Sequence, residues 1–136
     1  MISQTSKYAF RILGYLVPRE GTRIPGKTIA REAEIPANYL SKILNQLCKR
    51  GIVDGQKGWG GGFRLAEGAC ELRIREIVEI FDGKTEVQPC FFGLDDCGRQ
   101  HGRKCPFHHH WERVVKEFEI MLDAITVGEL CPVPHR

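Results

Sequence analysis

Residues 55–62 read GQKGWGGG, five glycines in eight positions. No helix accepts that density, because each glycine in a helix interior costs about 1 kcal/mol relative to alanine. Ile52-Val53-Asp54 on one side and Phe63-Arg64-Leu65 on the other have the β-branched and aromatic character of short strands. Two such runs joined by a glycine-rich loop predict an antiparallel hairpin with a flexible tip, and that tip carries Lys57 and Trp59. The second strand disfavours a phosphate-binding loop. Such loops lead into a helix and usually present Lys-Ser or Lys-Thr, neither of which stands here.

Upstream of the hairpin the apolar spacing is helical. A first helix over 3–17 places Tyr8, Ala9, Ile12, Leu13, Leu16 and Val17 on one face, and Pro18 and Gly21 stop it. A short second helix over 27–34 hides Ile29, Ala30 and Ala33. Pro36 suits the first turn of a third helix over 37–50, which turns Leu40, Ile43, Leu44 and Leu47 inward and ends at Gly51. Two short helices with a tight turn between them fit a helix-turn-helix, and equally a plain helical hairpin. The glycine-rich hairpin directly behind them favours a winged helix-turn-helix, in which the glycines let the backbone approach a phosphate chain and Lys57 supplies charge. A hairpin with a purely structural role is the alternative.

Charge supports a polyanion partner. Residues 1–64 hold eleven Lys or Arg against four acids, a net of +7, while the remaining 72 hold nine against thirteen, a net of −4. A basic front half beside an acidic back half leaves one surface suited to nucleic acid. With 42% apolar and 27% charged residues, and no apolar run of membrane-spanning length, no membrane association is expected. The opening residues interleave Lys7 and Arg11 with apolar ones rather than forming the apolar block of a secretory signal, so the expected location is the cytoplasm.

Beyond the hairpin, 74–81 (IREIVEIF) predicts a fourth helix with Ile74, Ile77, Val78 and Phe81 on its apolar side. A long helix is expected over 108–125, with Trp111, Val114, Val115, Phe118, Met121, Leu122 and Ile125 in one stripe. The economical cover for this stripe is its own copy in a second subunit, giving a two-fold homodimer; folding back on its own core is the alternative. The expected fold class is therefore mainly α with a small β wing. A winged helix-turn-helix domain (1–83) leads to a cysteine-rich loop (84–107), then to a dimerisation helix and tail (108–136).

The loop holds Cys90, Cys97 and Cys105, spaced C-x6-C-x7-C, with His108 after them as C-x2-H. In a reducing compartment clustered thiols point to metal binding or redox chemistry rather than to structural disulfides. Pro106 is expected in the first turn of the long helix, which would put Cys105 at a helix N-terminus where a thiolate is favoured. Structural zinc sites use tight C-x2-4-C knuckles, and none occurs here. The wide spacing favours an iron-sulfur cluster, around which a loop can wrap; zinc and metal-free redox thiols remain open. His109 and His110 are expected to be exposed bystanders, and Cys48, Cys70 and Cys131 to be packing or tail residues.

The segments SKYAFRIL (6–13), PANYLSKILNQLCKRGIV (36–53) and GWGGGF (58–63), together with the three cysteines, resemble the Rrf-two family of bacterial transcription regulators over nearly the whole chain. That family includes iron-sulfur-assembly and nitric-oxide-sensing regulators. The resemblance implies a homodimer on a palindromic double-stranded DNA operator, acting as a repressor under control of an iron-sulfur cluster that senses iron, nitric oxide or redox state. DNA contacts would come from Thr28, Asn38, Tyr39, Ser41 and Lys42, and from the wing residues Lys57, Gly58, Trp59 and Gly60. Lys57 stands where the family often carries a wing arginine, and a lysine fits a narrow groove less rigidly than a guanidinium. The cysteines are spaced slightly wider than is usual among cluster-binding members. In the nitric-oxide-sensing branch an acidic residue of the partner's first helix is the fourth ligand, and alignment on Tyr8-Ala9 places Lys7 there, which cannot serve. His108 is then the favoured fourth ligand beside Cys90, Cys97 and Cys105, with His101 as the alternative, and a two-iron (2Fe-2S) cluster stands ahead of a four-iron (4Fe-4S) one. The rival readings are a zinc-stabilised or metal-free regulator and an electron-transfer protein. No nucleophile, base and orienting residue can be assembled into an enzyme site.

Overall fold

The computed structural model describes residues 2–84, 90–94 and 105–130. Helix α1 (Gln4–Leu16) begins at Ser3, whose hydroxyl accepts the Ser6 amide at 3.1 Å, and it buries Ala9, Ile12, Leu13 and Leu16. Pro18 does not end the chain's coiling at once, because Val17–Arg19 tightens into a 3-10 turn first. Then come α2 (Gly26–Glu32) and α3 (Ala37–Lys49), the latter burying Leu40, Ile43, Leu44 and Leu47 as its spacing predicts. Helix α2 stops two residues short of the expected end. Pro36 caps α3 instead of lying in its first turn, because the chain between the two helices reverses through a left-handed residue, Glu34, at φ 55°.

The hairpin forms from β1 (Val53–Gln56) and β2 (Gly62–Leu65), antiparallel, with Val53 opposite Leu65 and Asp54 opposite Arg64. Ile24 adds an antiparallel bridge to β2 that the sequence did not announce: it exchanges both backbone hydrogen bonds with Phe63, each 2.8 Å long. Helix α4 (Ile74–Asp82) buries Ile74, Ile77 and Val78. Its last residue, Asp82, accepts from the Ser3 amide at 3.1 Å and from the buried Ser6 hydroxyl at 3.0 Å, tying α4 to the start of α1. Burial pushes the Asp82 carboxyl up, but these hydrogen bonds outweigh it and hold the group below the ordinary carboxylate range.

The C-terminal end of helix α5 (His108–Ala124) packs against α4. There Leu122 packs with Ile74 and Val78 in a small second core, flanked by Phe118 and Ile125. The chain beyond pairs with the segment before α4, Ile74 donating to Ile125 at 3.0 Å and Val127 to Leu72 at 2.8 Å. Arg75 reaches across to Asp123 (2.9 Å from Nη2) and to Glu119. Among the described residues no helix is long and apolar enough to cross a membrane.

Candidate nucleic-acid interface and cysteine segment

Helix α3 buries one side against α1 and α2, and this leaves Asn38, Tyr39, Ser41 and Lys42 exposed on its first two turns. Thr28, on α2, is half-buried. The open groove between α2 and α3 is lined by Ala30, Ile35 and Leu40 with Lys27, Arg31 and Ser41. Tyr39 is not wholly committed to the outside. Its ring meets Tyr8 of α1 edge to face, centroids 5.4 Å apart.

At the wing, Lys57, Gly58, Trp59 and Gly60 are all exposed, Trp59 fully so. Gly61 and Gly62 have a different duty. A methyl group on Gly62 would sit 2.6 Å from the Ile24 carbonyl, and one on Gly61 would collide with the Gln56 and Gly58 carbonyl oxygens. Part of the glycine density therefore serves the hairpin's own close packing rather than approach to a partner. The base of the wing is held by Asp54, which accepts from Arg23 Nη2 at 2.8 Å and from Arg64 Nε at 3.3 Å. Two cations of the basic front half are thus engaged internally instead of facing a polyanion. The register of the hairpin foretells the Arg64 pair, since Asp54 and Arg64 are cross-strand partners. Nothing local in the sequence foretells Arg23, which arrives from a loop 31 residues away.

Cys90 is 2% exposed, and its carbonyl accepts from Gly93 at 3.0 Å in a tight turn. Phe91 stacks on Phe107 at 4.4 Å with the planes 5° apart and meets Trp111 edge to face, while Phe92 also meets Phe107. These rings hold the Cys90 segment against the start of α5, where Cys105 lies half-buried. Pro106 falls outside the helix. The chain enters α5 through a turn in which the His108 amide donates to the Cys105 carbonyl at 3.2 Å, so Cys105 stands before the N-cap, Phe107, instead of at the helix N-terminus itself. His108 lies 4.0 Å from Glu112 one turn along, and His109 and His110 are exposed. Cys97, His101 and Cys131 lie outside the described residues. Among the described residues no three His, Cys, Asp or Glu side chains converge as a metal site, so Cys90, Cys105 and His108 do not by themselves form one.

The remaining thiols have the surroundings of packing residues. Burial first, then Asp54, pushes the Cys48 thiol up. Burial, then Glu20 and Glu71, does the same for Cys70. The stripe on α5 divides. Leu122 is fully buried on its own chain, whereas Val114, Met121 and the unforeseen Ile120 are 47%, 36% and 50% exposed.

The family model described as Rrf2, iron-dependent transcriptional regulator, matches residues 2–132. A protein of Aquifex aeolicus, provisionally named an HTH-type transcriptional regulator, is 28% identical over 136 residues, all of this chain and 94% of that one. The HTH-type transcriptional regulator IscR of Photobacterium profundum is 31% identical over 107 residues, 79% of this chain and 60% of that one. Among solved structures, CymR (YrzC), the global cysteine regulator of B. subtilis, superposes with a TM-score of 0.74 at 20% identity, covering 99% of this chain and 98% of that one. The helix-turn-helix backed by a glycine-rich wing agrees with the family match over residues 2–132: the chain belongs to the Rrf2 family of helix-turn-helix transcriptional regulators, a family of regulators and not of enzymes.

Proposed function

We propose that the protein is a homodimeric repressor of a palindromic operator, and that its affinity is governed by an iron-sulfur cluster. Cys90, Cys97 and Cys105 would hold the cluster with His108 as fourth ligand, in a 2Fe-2S form. The carrying observation is the buried Cys90 on a segment whose phenylalanines stack against the start of α5, near Cys105. Thiolate sulfur with one imidazole suits iron-sulfur ligation. The iron-dependent description of the family and the likeness to IscR support the same reading. A bound cluster would supply an oxidisable, nitric-oxide-reactive iron centre at the head of α5.

The chain's own residues do the rest. The exposed start of α3 presents Asn38, Tyr39, Ser41 and Lys42 to base edges and phosphates in a major groove, with Thr28 alongside. Lys57 and the glycine-bordered Trp59 reach a flanking groove, and the exposed face of α5 meets its own copy. Because α5 also packs on α4, a change in the Cys90–Cys105 segment alters the spacing of the two reading heads, a shift between populations of differing affinity.

Protein purified under nitrogen tests the cluster. Cys90→Ala and Cys97→Ser are each expected to lose the visible absorbance and the bound iron and sulfide while remaining folded dimers. Unchanged spectra would remove the triad from the mechanism. A second reading, a metal-free thiol regulator, draws on the likeness to CymR, the global cysteine regulator. Iron-poor wild-type protein that loses duplex affinity when its thiols are oxidised would support it.

The wing is tested separately. Lys57→Ala is expected to weaken binding to all duplexes and to flatten the slope of log affinity against log salt by about 0.9, one phosphate contact. A slope that stays put would place Lys57 away from the backbone.

A further inference from the structure

The turn that delivers the chain into α3 is held by a residue of α1. Helix α2 ends in a Schellman arrangement: Ile35 donates to the Ala30 carbonyl at 2.9 Å, and Glu34 donates to Arg31 at 3.4 Å. The left-handed residue of this motif is ordinarily glycine, since a Cβ is disfavoured there. Here it is Glu34, at φ 55°, the one non-glycine positive φ among the described residues. The carbonyl of that same residue accepts from Arg11 Nη1 at 3.2 Å. The Arg11 guanidinium also lies 5.4 Å from the centre of the Tyr8 ring, and Tyr8 meets Tyr39 edge to face. Arg11 and Tyr8 therefore touch both ends of the short path from Glu34 to the first turn of α3.

We propose that Arg11 is a positioning residue for DNA reading: it locks the left-handed turn at Glu34 and, through Tyr8 and Tyr39, sets the direction in which α3 leaves that turn. Relaxation of Glu34 out of the left-handed region would redirect everything after it. Base-edge hydrogen bonds tolerate only a few tenths of an ångström, so a misdirected α3 loses sequence discrimination before it loses phosphate attraction. Arg11 stands outside the DNA-contacting set read from the sequence, and its role is indirect. Its loss accordingly removes no phosphate contact. The inference rests on α3 being the reading helix.

The test uses the full chain, a duplex of about 30 base pairs recovered from a random pool by the wild-type protein, and an unselected duplex of equal length. Arg11→Ala is expected to lower affinity for the selected duplex by about tenfold, to leave the unselected one within about twofold, and to keep the salt slope of both. Arg11→Lys keeps the charge but not the planar guanidinium that reaches the Glu34 carbonyl and the Tyr8 ring together, so it should show the same selective loss; it also serves if the alanine variant does not fold. In Arg11→Ala/Glu34→Gly the turn no longer needs a clamp, and discrimination should return. Equal loss on both duplexes with a slope reduced by about one, full activity of Arg11→Lys, or no recovery in the double variant would each overturn the proposal. A wild-type protein that fails to discriminate between the duplexes would instead overturn the reading of α3 beneath it.

Discussion

Val114→Glu is expected to convert the protein from a dimer to a monomer and to lower its affinity for an operator duplex by at least about 100-fold. Val114 is 47% exposed on α5, remote from the Leu122, Ile74 and Val78 cluster that fastens the helix to its own domain, so the substitution leaves that core alone. In a two-fold interface each substitution occurs twice. An unpaired carboxylate in an apolar contact costs on the order of 3 kcal/mol, and two of them exceed the surplus that holds most dimers of modest size. A monomer reads one half-site and forfeits the gain from linking two heads. Sedimentation velocity and duplex titration measure the two effects together. A variant that stays dimeric would show that α5 is covered by something other than its own copy, and one that becomes monomeric with unchanged affinity would break the link between pairing and reading.

Most of the architecture is legible in the sequence because it rests on period. Leu40, Ile43, Leu44 and Leu47 fall on one side of α3 at helical spacing and are all buried, and Gly58, Gly60 and Gly61 form the hairpin tip while Gly55 and Gly62 belong to its paired strands. Features settled by one backbone angle or by distant partners do not show. The end of α2 falls two residues before its expected place because Glu34 occupies a conformation that glycine normally marks. The Ile24 bridge and the Arg23–Asp54 pair join residues 39 and 31 positions apart, and no local pattern carries them. Residue type identifies the exposed face of α3 and the tip of the wing, but it cannot reveal that Tyr39 shares its ring with Tyr8, or that Gly61 and Gly62 answer to Gln56 and Ile24. For the cysteines the spacing names the donors. The stacked phenylalanines that press one cysteine segment toward another have no periodic signature, since they lie in turns.

Leu122→Ala is expected to lower the thermal midpoint by on the order of 10 °C and to strip hydrogen-exchange protection from α5 before the rest of the protein unfolds. Two kinds of contact join α5 to α4, and their magnitudes differ. Arg75 forms an ion-pair fork with Asp123 and Glu119, which holds the Asp123 carboxyl below its ordinary range and raises the already high Arg75. Asp123 is largely in water, where ion pairs are screened and contribute little. Leu122 is fully buried against Ile74 and Val78, and emptying such a site costs about 3 kcal/mol through lost transfer energy and the cavity left behind. For a chain of this length that cost corresponds to the midpoint shift stated. Arg75→Ala should therefore lower the midpoint far less than Leu122→Ala, while changing the angle at which α5 leaves the domain. A larger loss for Arg75→Ala than for Leu122→Ala in parallel circular-dichroism melts would mean that charge, and not the apolar anchor, holds the helix to the DNA-reading domain.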